Sequence, residues 1–422
     1  MSAPATDEAA KVLADPTAYA DDNWLHTALT RLRATNPVAW VDNPPYRPFW
    51  AITKHADIME IERANDVFTN SPRPVLITRE GDEQQAALGI RSLIHTDDPL
   101  HRDLRAIGAN WFRPKAMRAL MDRAGELAKR FVDKMAAEGP ECDFVQQVAV
   151  NYPLYMIMTL LGVPESDFGF MLKLTQELFG ADDDEFKRGT TTEEQGMALL
   201  EMFQYFTELT ASRRANPTDD LASTISNATL DGEPLSDIDT VSYYTIIAAA
   251  GHDTSSAAIS GGMLALLENP DQLARLQNDM SLMPLAVEEM VRWTTPVKEF
   301  MRTAQRDYEI RGTRISAGEA VALSYVSGNR DEEVFDEPFR FEGSVFDLEV
   351  EGQIPASLDG TFYRVVDGKQ EFFGVDGKYH VVTRPAGVLL LRDIKRASKP
   401  VFKAASASLW DIGDGALCLE FT

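Results

Sequence analysis

The sequence predicts a mainly α-helical fold carrying small β-sheets, and three observations support this. Residues 236–268 contain no proline and are apolar nearly all round, with Val241, Tyr244, Ile247, Ile259, Met263 and Leu267 on every side. Such a pattern belongs to a buried helix, and about 33 residues at ~1.5 Å rise make a rod of roughly 50 Å. Amphipathic runs of helical period recur on both sides of it. Strand-like runs are short and bounded by turn residues: 38–41, 49–53, 301–304, 308–310 and 321–323.

Taken in order, residues 12–36 read as a helix pair, interrupted at Asp15-Pro16 and ended at Asn36-Pro37, because proline cannot continue a helix. Strands 38–41 and 49–53 follow across the turn Asn43-Pro44-Pro45-Tyr46, and a helix covers 54–63. Residues 71–85 have loop composition with an apolar patch, Val75-Leu76-Ile77. A helix starting after Pro99 sets His101 and Arg105 four apart, on one face. An amphipathic helix spans 116–137, and a core helix spans 155–161. Residues 168–206 give two helices around the acidic run Asp182-Asp183-Asp184-Glu185, a solvated loop; Phe168, Phe170, Met171, Leu178 and Phe179 precede it. Helix resumes over 197–214, and Asn216-Pro217 turns the chain into a short helix. Ser236 with Asp239 reads as a capping box for the long helix, and Asn269-Pro270 as its stop. Helices over 271–277 and 283–293 lead to a small sheet with turns at Gly312 and Gly318.

Length and charge narrow the function classes. The chain has 422 residues, 44% hydrophobic and 25% charged, which describes a globular protein. A net charge of −25 argues against nucleic acid and anionic membrane as general partners. No apolar run approaches the ~20 residues that span a bilayer, and residues 1–11 lack the basic start and apolar core of a signal peptide. Two cysteines, Cys142 and Cys418, exclude a disulfide framework or a cysteine-based zinc site, and six histidines lack ligand spacing. The expectation is a cytoplasmic protein with no protein-ligated metal site.

The long helix contains a local conflict. Its middle reads Ala249-Ala250-Gly251-His252-Asp253-Thr254-Ser255-Ser256. Glycine costs about 1 kcal/mol there relative to alanine, and a buried carboxylate costs several more unless paired. A threonine hydroxyl can bond back to the carbonyl one turn earlier and bend the helix. Two readings stand: a kink holding a solvent-filled pocket, or a site where a bound group needs an acid and a hydroxyl.

The run from Ala250 to Ser255 resembles the oxygen-activating helix of cytochrome P450 monooxygenases. Other motifs match in order: Pro48-Phe49-Trp50, His55-Ala56-Asp57-Ile58, His101 and Arg105 before Trp111-Phe112-Arg113-Pro114, Glu289-Met290-Val291-Arg292, Arg302, Asn329-Arg330-Asp331, and Phe335 through Phe341. The resemblance covers residues 13–341 and implies a cytochrome P450 fold with a haem cofactor. It implies that His101, Arg105 and Arg302 hold the haem propionates, charged groups suited to carboxylate. It implies that Asp253 and Thr254 relay protons to bound dioxygen, and that Glu289, Arg292 and Arg340 lock together structurally. The 71–85 loop would cover an apolar substrate of terpenoid, steroid or fatty type, roofed by the apolar residues before the acidic run. Electrons would come from a separate ferredoxin.

After Phe341 the family pattern calls for a Gly-rich loop ending in the cysteine whose thiolate is the axial iron ligand. Residues 342–422 contain no such loop, and Cys418 lies in the strand-like run Gly415-Ala416-Leu417-Cys418-Leu419. Residues 347–364 instead resemble the opening of carotenoid cleavage oxygenases, whose iron needs four histidines; here His380 is the only histidine after His252. From Gly387 onward the chain resembles a junction segment of bacterial fatty-acid oxidation multienzymes. The expected organisation is a P450-like body over 1–341, a carotenoid-oxygenase-like fragment over 342–386 and a multienzyme-like fragment over 387–422: a chimeric, β-rich tail. The function expected by resemblance is haem monooxygenation of an apolar small molecule; the alternative is an inactive remnant that binds haem or an apolar ligand at most.

Overall fold

The structure, a computed structural model, describes residues 5–88, 92–139, 141–180, 186–189 and 191–341, together with short strands at 363–366, 369–373, 379–381, 399–403, 407–413 and 416–421. The chain divides into two compact units: Met1–Asn110, Ile157–Thr254 and Thr295–Phe339 form one, and Trp111–Met156, Ser255–Thr294 and Arg340–Thr422 the other.

The first unit is built on a five-stranded sheet. β1 (Val38–Val41) and β2 (Phe49–Ile52) form an antiparallel hairpin. β2 lies parallel to β9 (Ala320–Ser324), and β6 (Glu299–Ala304) pairs antiparallel with β9 and with β3 (Phe68–Thr69). Every residue of β1, β2 and β9 is buried, so both faces must be covered, and the side-chain period of two sorts them. Ala39, Val41, Phe49 and Ala51 face Leu25, Leu29 and Leu32 of α1 (Asp22–Thr35). Trp40, Trp50 and Ile52 face Ile58 and Ile61 of α2 (His55–Arg63). The two tryptophans meet edge to face at 5.0 Å. A small hairpin, β7 (Tyr308–Ile310) and β8 (Thr313–Ile315), turns through Arg311 and Gly312, both at positive φ, where glycine is the unstrained choice.

Helices α7 (Phe168–Phe179), α8 (Thr192–Ala215), α9 (Leu221–Ser226) and α10 (Asp237–Ala250) complete this unit's helical part. Tyr244 is fully buried, packs 5.4 Å from the Phe206 ring and donates its hydroxyl to the Ala222 carbonyl at 2.7 Å. Arg213 bonds Asp220 at 2.7 Å and the Gly162 carbonyl at 2.6 Å, tying the start of α9 to the end of α6 (Asn151–Leu161). Phe168 and Met171, expected to roof a pocket, are buried, whereas Phe170 is exposed. The acidic run 182–185 and the Phe179 side chain lie outside the described residues.

Three sequence expectations are corrected. The continuous helix over 236–268 is two helices, α10 and α11 (Asp253–Glu268), separated at Gly251-His252. The N-cap and the stop stand where expected: Ser236 accepts from the Asp239 amide at 3.1 Å and donates to Asp239 Oδ2 at 2.7 Å, and α11 ends at Glu268. Glycine at this point has a steric reason, because a Cβ on Gly251 would sit 2.5 Å from Ile157 Cγ1. The helix pair over 12–36 is two short 3-10 turns, Glu8–Ala14 and Pro16–Ala20, followed by α1. Asp7, Asp15 and Asp21 each accept a backbone N–H and start a new turn. Residues 71–85 are loop only in their first half; α3 (Arg79–Leu88) begins after Thr78, whose hydroxyl accepts from the Gly81 amide at 3.2 Å.

In the second unit α5 (Pro114–Glu138) buries Leu127, Phe131 and Met135, a four-residue spacing on one face. α11, α12 (Pro270–Asn278) and α13 (Met283–Thr294) enclose a cluster of Leu266, Leu273, Leu276, Ala286 and Phe341. α11 and α13 approach closely at two glycines, since a Cβ on Gly261 or Gly262 would stand 2.6 Å from Thr294 or Met290. The described tail segments pair as short antiparallel strands. Residues 342–362 and the 386/387 junction lie outside the described residues, as do the side chains of His380 and Cys418.

Candidate functional site

The helix break gathers the polar groups of the long apolar segment. Gly251 keeps a helical bond to the Ile247 carbonyl at 3.1 Å, while His252 reaches Ala249 at 3.4 Å, a tightened turn. This interrupts the ladder, and the Thr254 hydroxyl donates to the Ala250 carbonyl at 3.0 Å, satisfying a group the break would strand. His252 is buried, and its Nδ1 lies 2.9 Å from Asp253 Oδ1. The Asp253 side chain is 36% exposed, so its carboxylate lies close to His252 and is partly open to solvent.

α4 (Leu100–Gly108) is tied to α10 by Tyr243, which donates to the Leu104 carbonyl at 3.2 Å. His101 and Arg105 lie one turn apart on it. His101 Nδ1 stands 3.9 Å from Asp98 Oδ1, a loose contact. Arg105 is exposed and makes no ion pair among the described residues. The two side chains share a helix face, as their spacing predicts.

Arg302 is engaged differently. Its Nη2 donates to both Glu62 oxygens, at 3.0 and 3.1 Å, and its Nη1 to the Met301 carbonyl at 2.8 Å. Tyr325, first residue of the short helix α14 (Tyr325–Gly328), donates to the same Glu62 carboxylate at 2.5 Å. Burial and Glu62 raise the Tyr325 hydroxyl well above its ordinary pKa. Sequence reasoning missed Glu62 and Tyr325, because 240 residues separate Glu62 from Arg302 and no motif marks either. It also missed Asp331 as an anchor; this buried carboxylate accepts from the His55 amide at 2.9 Å and from Lys54.

In the second unit Glu289 and Arg292 form a buried fork, Nε and Nη2 each 2.6 Å from a carboxylate oxygen. Arg292 Nη2 also donates to the Arg340 carbonyl at 3.3 Å, so this structure joins Arg340 to the pair through its backbone. Cys142 is a free thiol there, and burial with Asp143 and Glu138 nearby pushes its pKa up.

A cytochrome P450 family profile matches residues 43–354, extending beyond Phe341, where the sequence reading ends the likeness. This chain belongs to the cytochrome P450 family. The family's members are haem monooxygenases. The chain is 38% identical over 359 residues to cytochrome P450-terp of a Pseudomonas species, spanning 81% of this chain and 84% of that protein. It is 36% identical to a steroid C26-monooxygenase of Mycolicibacterium smegmatis, over 74% of each chain. It is 34% identical to a methyl-branched lipid omega-hydroxylase of Mycobacterium bovis, over 76% of each. Two solved P450 structures share its fold. CYP108D1 of Novosphingobium aromaticivorans has 40% identity and a TM-score of 0.72, covering 81% of this chain and 83% of that one. CYP268A2 of Mycobacterium marinum, in complex with pseudoionone, has 32% identity and a TM-score of 0.73, covering 81% and 84%. No helix among the described residues is long and apolar enough to cross a membrane.

The P450 fold implies haem, and two α4 side chains suit its carboxylate edge: Arg105 has no acidic partner among the described residues and His101 only a distant one. Cys142, the cysteine whose side chain is described, lies beside acids that with burial push its pKa up; the Cys418 side chain lies outside the described residues.

Proposed function

We propose that this protein acts in P450-type monooxygenation of an apolar small molecule of the steroid, terpenoid or methyl-branched lipid kind. The observation that carries the reading is the Gly251-His252 break, which leaves a half-open carboxylate at Asp253 beside the Thr254 hydroxyl. The partly exposed Asp253 carboxylate is suited to relay a proton, and Thr254 Oγ1 to pass one on when it releases the Ala250 carbonyl. Haem, when bound, supplies the oxidising chemistry; His101 and Arg105 orient its carboxylates. A separate ferredoxin-type protein delivers electrons. The substrate class rests on the relatives named above and on the apolar Val75-Leu76-Ile77 loop. The carotenoid-oxygenase-like and multienzyme-like readings of the tail add no residue to this site.

The sequence after Phe341, which carries no Gly-rich cysteine loop, motivates a second reading, a P450-derived body that binds an apolar ligand, and haem through its carboxylates, without oxidising either. One experiment separates the two: the absorption spectrum of the reduced, carbon-monoxide-treated holoprotein, read beside turnover of a steroid or terpenoid with added ferredoxin. The first reading expects a red-shifted thiolate-type band and product that falls at least tenfold in Thr254→Ala. A preparation that binds haem and ligand with no such band and no product rejects it in favour of the second.

A further inference from the structure

We propose that Glu62 is an internal carboxylate latch that occupies Arg302 and must let go before Arg302 can take a carboxylate of a bound porphyrin. Three observations lead there. Both Glu62 oxygens sit on one guanidinium nitrogen, at 3.0 and 3.1 Å, the kind of contact a ligand carboxylate would make. Tyr325 adds a hydroxyl to the same carboxylate, so Glu62 is held from two directions. The contact is nevertheless exchangeable, because the Glu62 side chain is 30% exposed and Arg302 14%. A ligand that binds Arg302 therefore competes with a tethered acid at high local concentration, and its apparent affinity falls by the fraction of molecules in which the latch is open. Arg105, with no such acid among the described residues, carries no corresponding penalty.

This inference rests on the reading of Arg302 as a carboxylate-binding residue, and it is independent of whether the iron gains a sulfur ligand. It goes beyond the proposed reaction by making cofactor uptake the controlled step. Glu62→Gln keeps the side chain's shape and an acceptor for Tyr325 while removing the competing charge. Tyr325→Phe keeps the charge and loosens its anchor.

The test is a haem titration of the full chain, followed by absorbance, for the parent and both variants, with haem dimethyl ester as the control ligand. The latch predicts about tenfold tighter haem binding for Glu62→Gln, one charge-assisted contact regained. It predicts a smaller gain in the same direction for Tyr325→Phe, and no gain for either with the ester. Haem affinity that is unchanged or weaker in a folded Glu62→Gln protein overturns the latch, as does an equal gain with the ester. Uptake by neither parent nor variants overturns it too. Turnover and the carbon-monoxide spectrum judge the monooxygenase reading separately.

Discussion

Glu299 shows how one side chain can set a pH response. It begins β6, and Tyr19 donates to its Oε2 at 3.3 Å. Desolvation raises its pKa from 4.5 to about 8, although the Tyr19 hydrogen bond acts in the opposite direction. The folded protein thus keeps a proton that the unfolded chain releases above its ordinary pKa. This contribution to stability is therefore fully present below about pH 4.5 and is lost as pH rises towards about 8. Melting temperatures of parent and Glu299→Gln at pH 5 and pH 8 check it. The variant should gain on the parent as pH rises, and a constant difference would refute the assignment. At this scale the sequence singled out Asp253, Thr254, His101, Arg105, Glu289 and Arg292 through helical spacing taken together with the family resemblance. Glu62, Glu299 and Tyr325 were not legible, because their partners are brought to them by sheet pairing across long separations.

Among the elements, the central helix is the most instructive. Its caps could be read because Ser236, Asp239, Asn269 and Pro270 act on their immediate neighbours. Its polar middle pointed to a kink, but the need for glycine there could not be read from neighbouring residues, because Gly251 packs against Ile157, nearly a hundred positions earlier. Gly251→Ala should therefore destabilise despite alanine's better helix propensity. Overpacking costs about 1–3 kcal/mol, against which propensity returns at most ~1 kcal/mol. Urea denaturation measures the net effect, and Ile157→Ala in the same chain should recover part of it. A stabilised Gly251→Ala protein would show that this contact does not require glycine. The sheet was easier to anticipate: Val38 to Val41 and Phe49 to Ile52 alternate between two covered faces, and their short lengths leave one register.

For the whole molecule, the ordered motifs of the sequence pointed to a P450 body, because each motif couples a local element to a fixed place in the chain. The tail was less legible: its resemblances are short, and a strand pattern alone says nothing about which domain it serves. The central claim is that α4 presents a cationic edge for the carboxylates of a porphyrin, on a body whose helix break supplies an acid and a hydroxyl. Haem titration of the full chain against the His101→Ala, Arg105→Ala double variant tests it most directly. The prediction is saturable uptake of one haem per chain, weakened at least tenfold when both cations are removed. Equal affinity in parent and double variant, or no uptake by a folded parent, would contradict it.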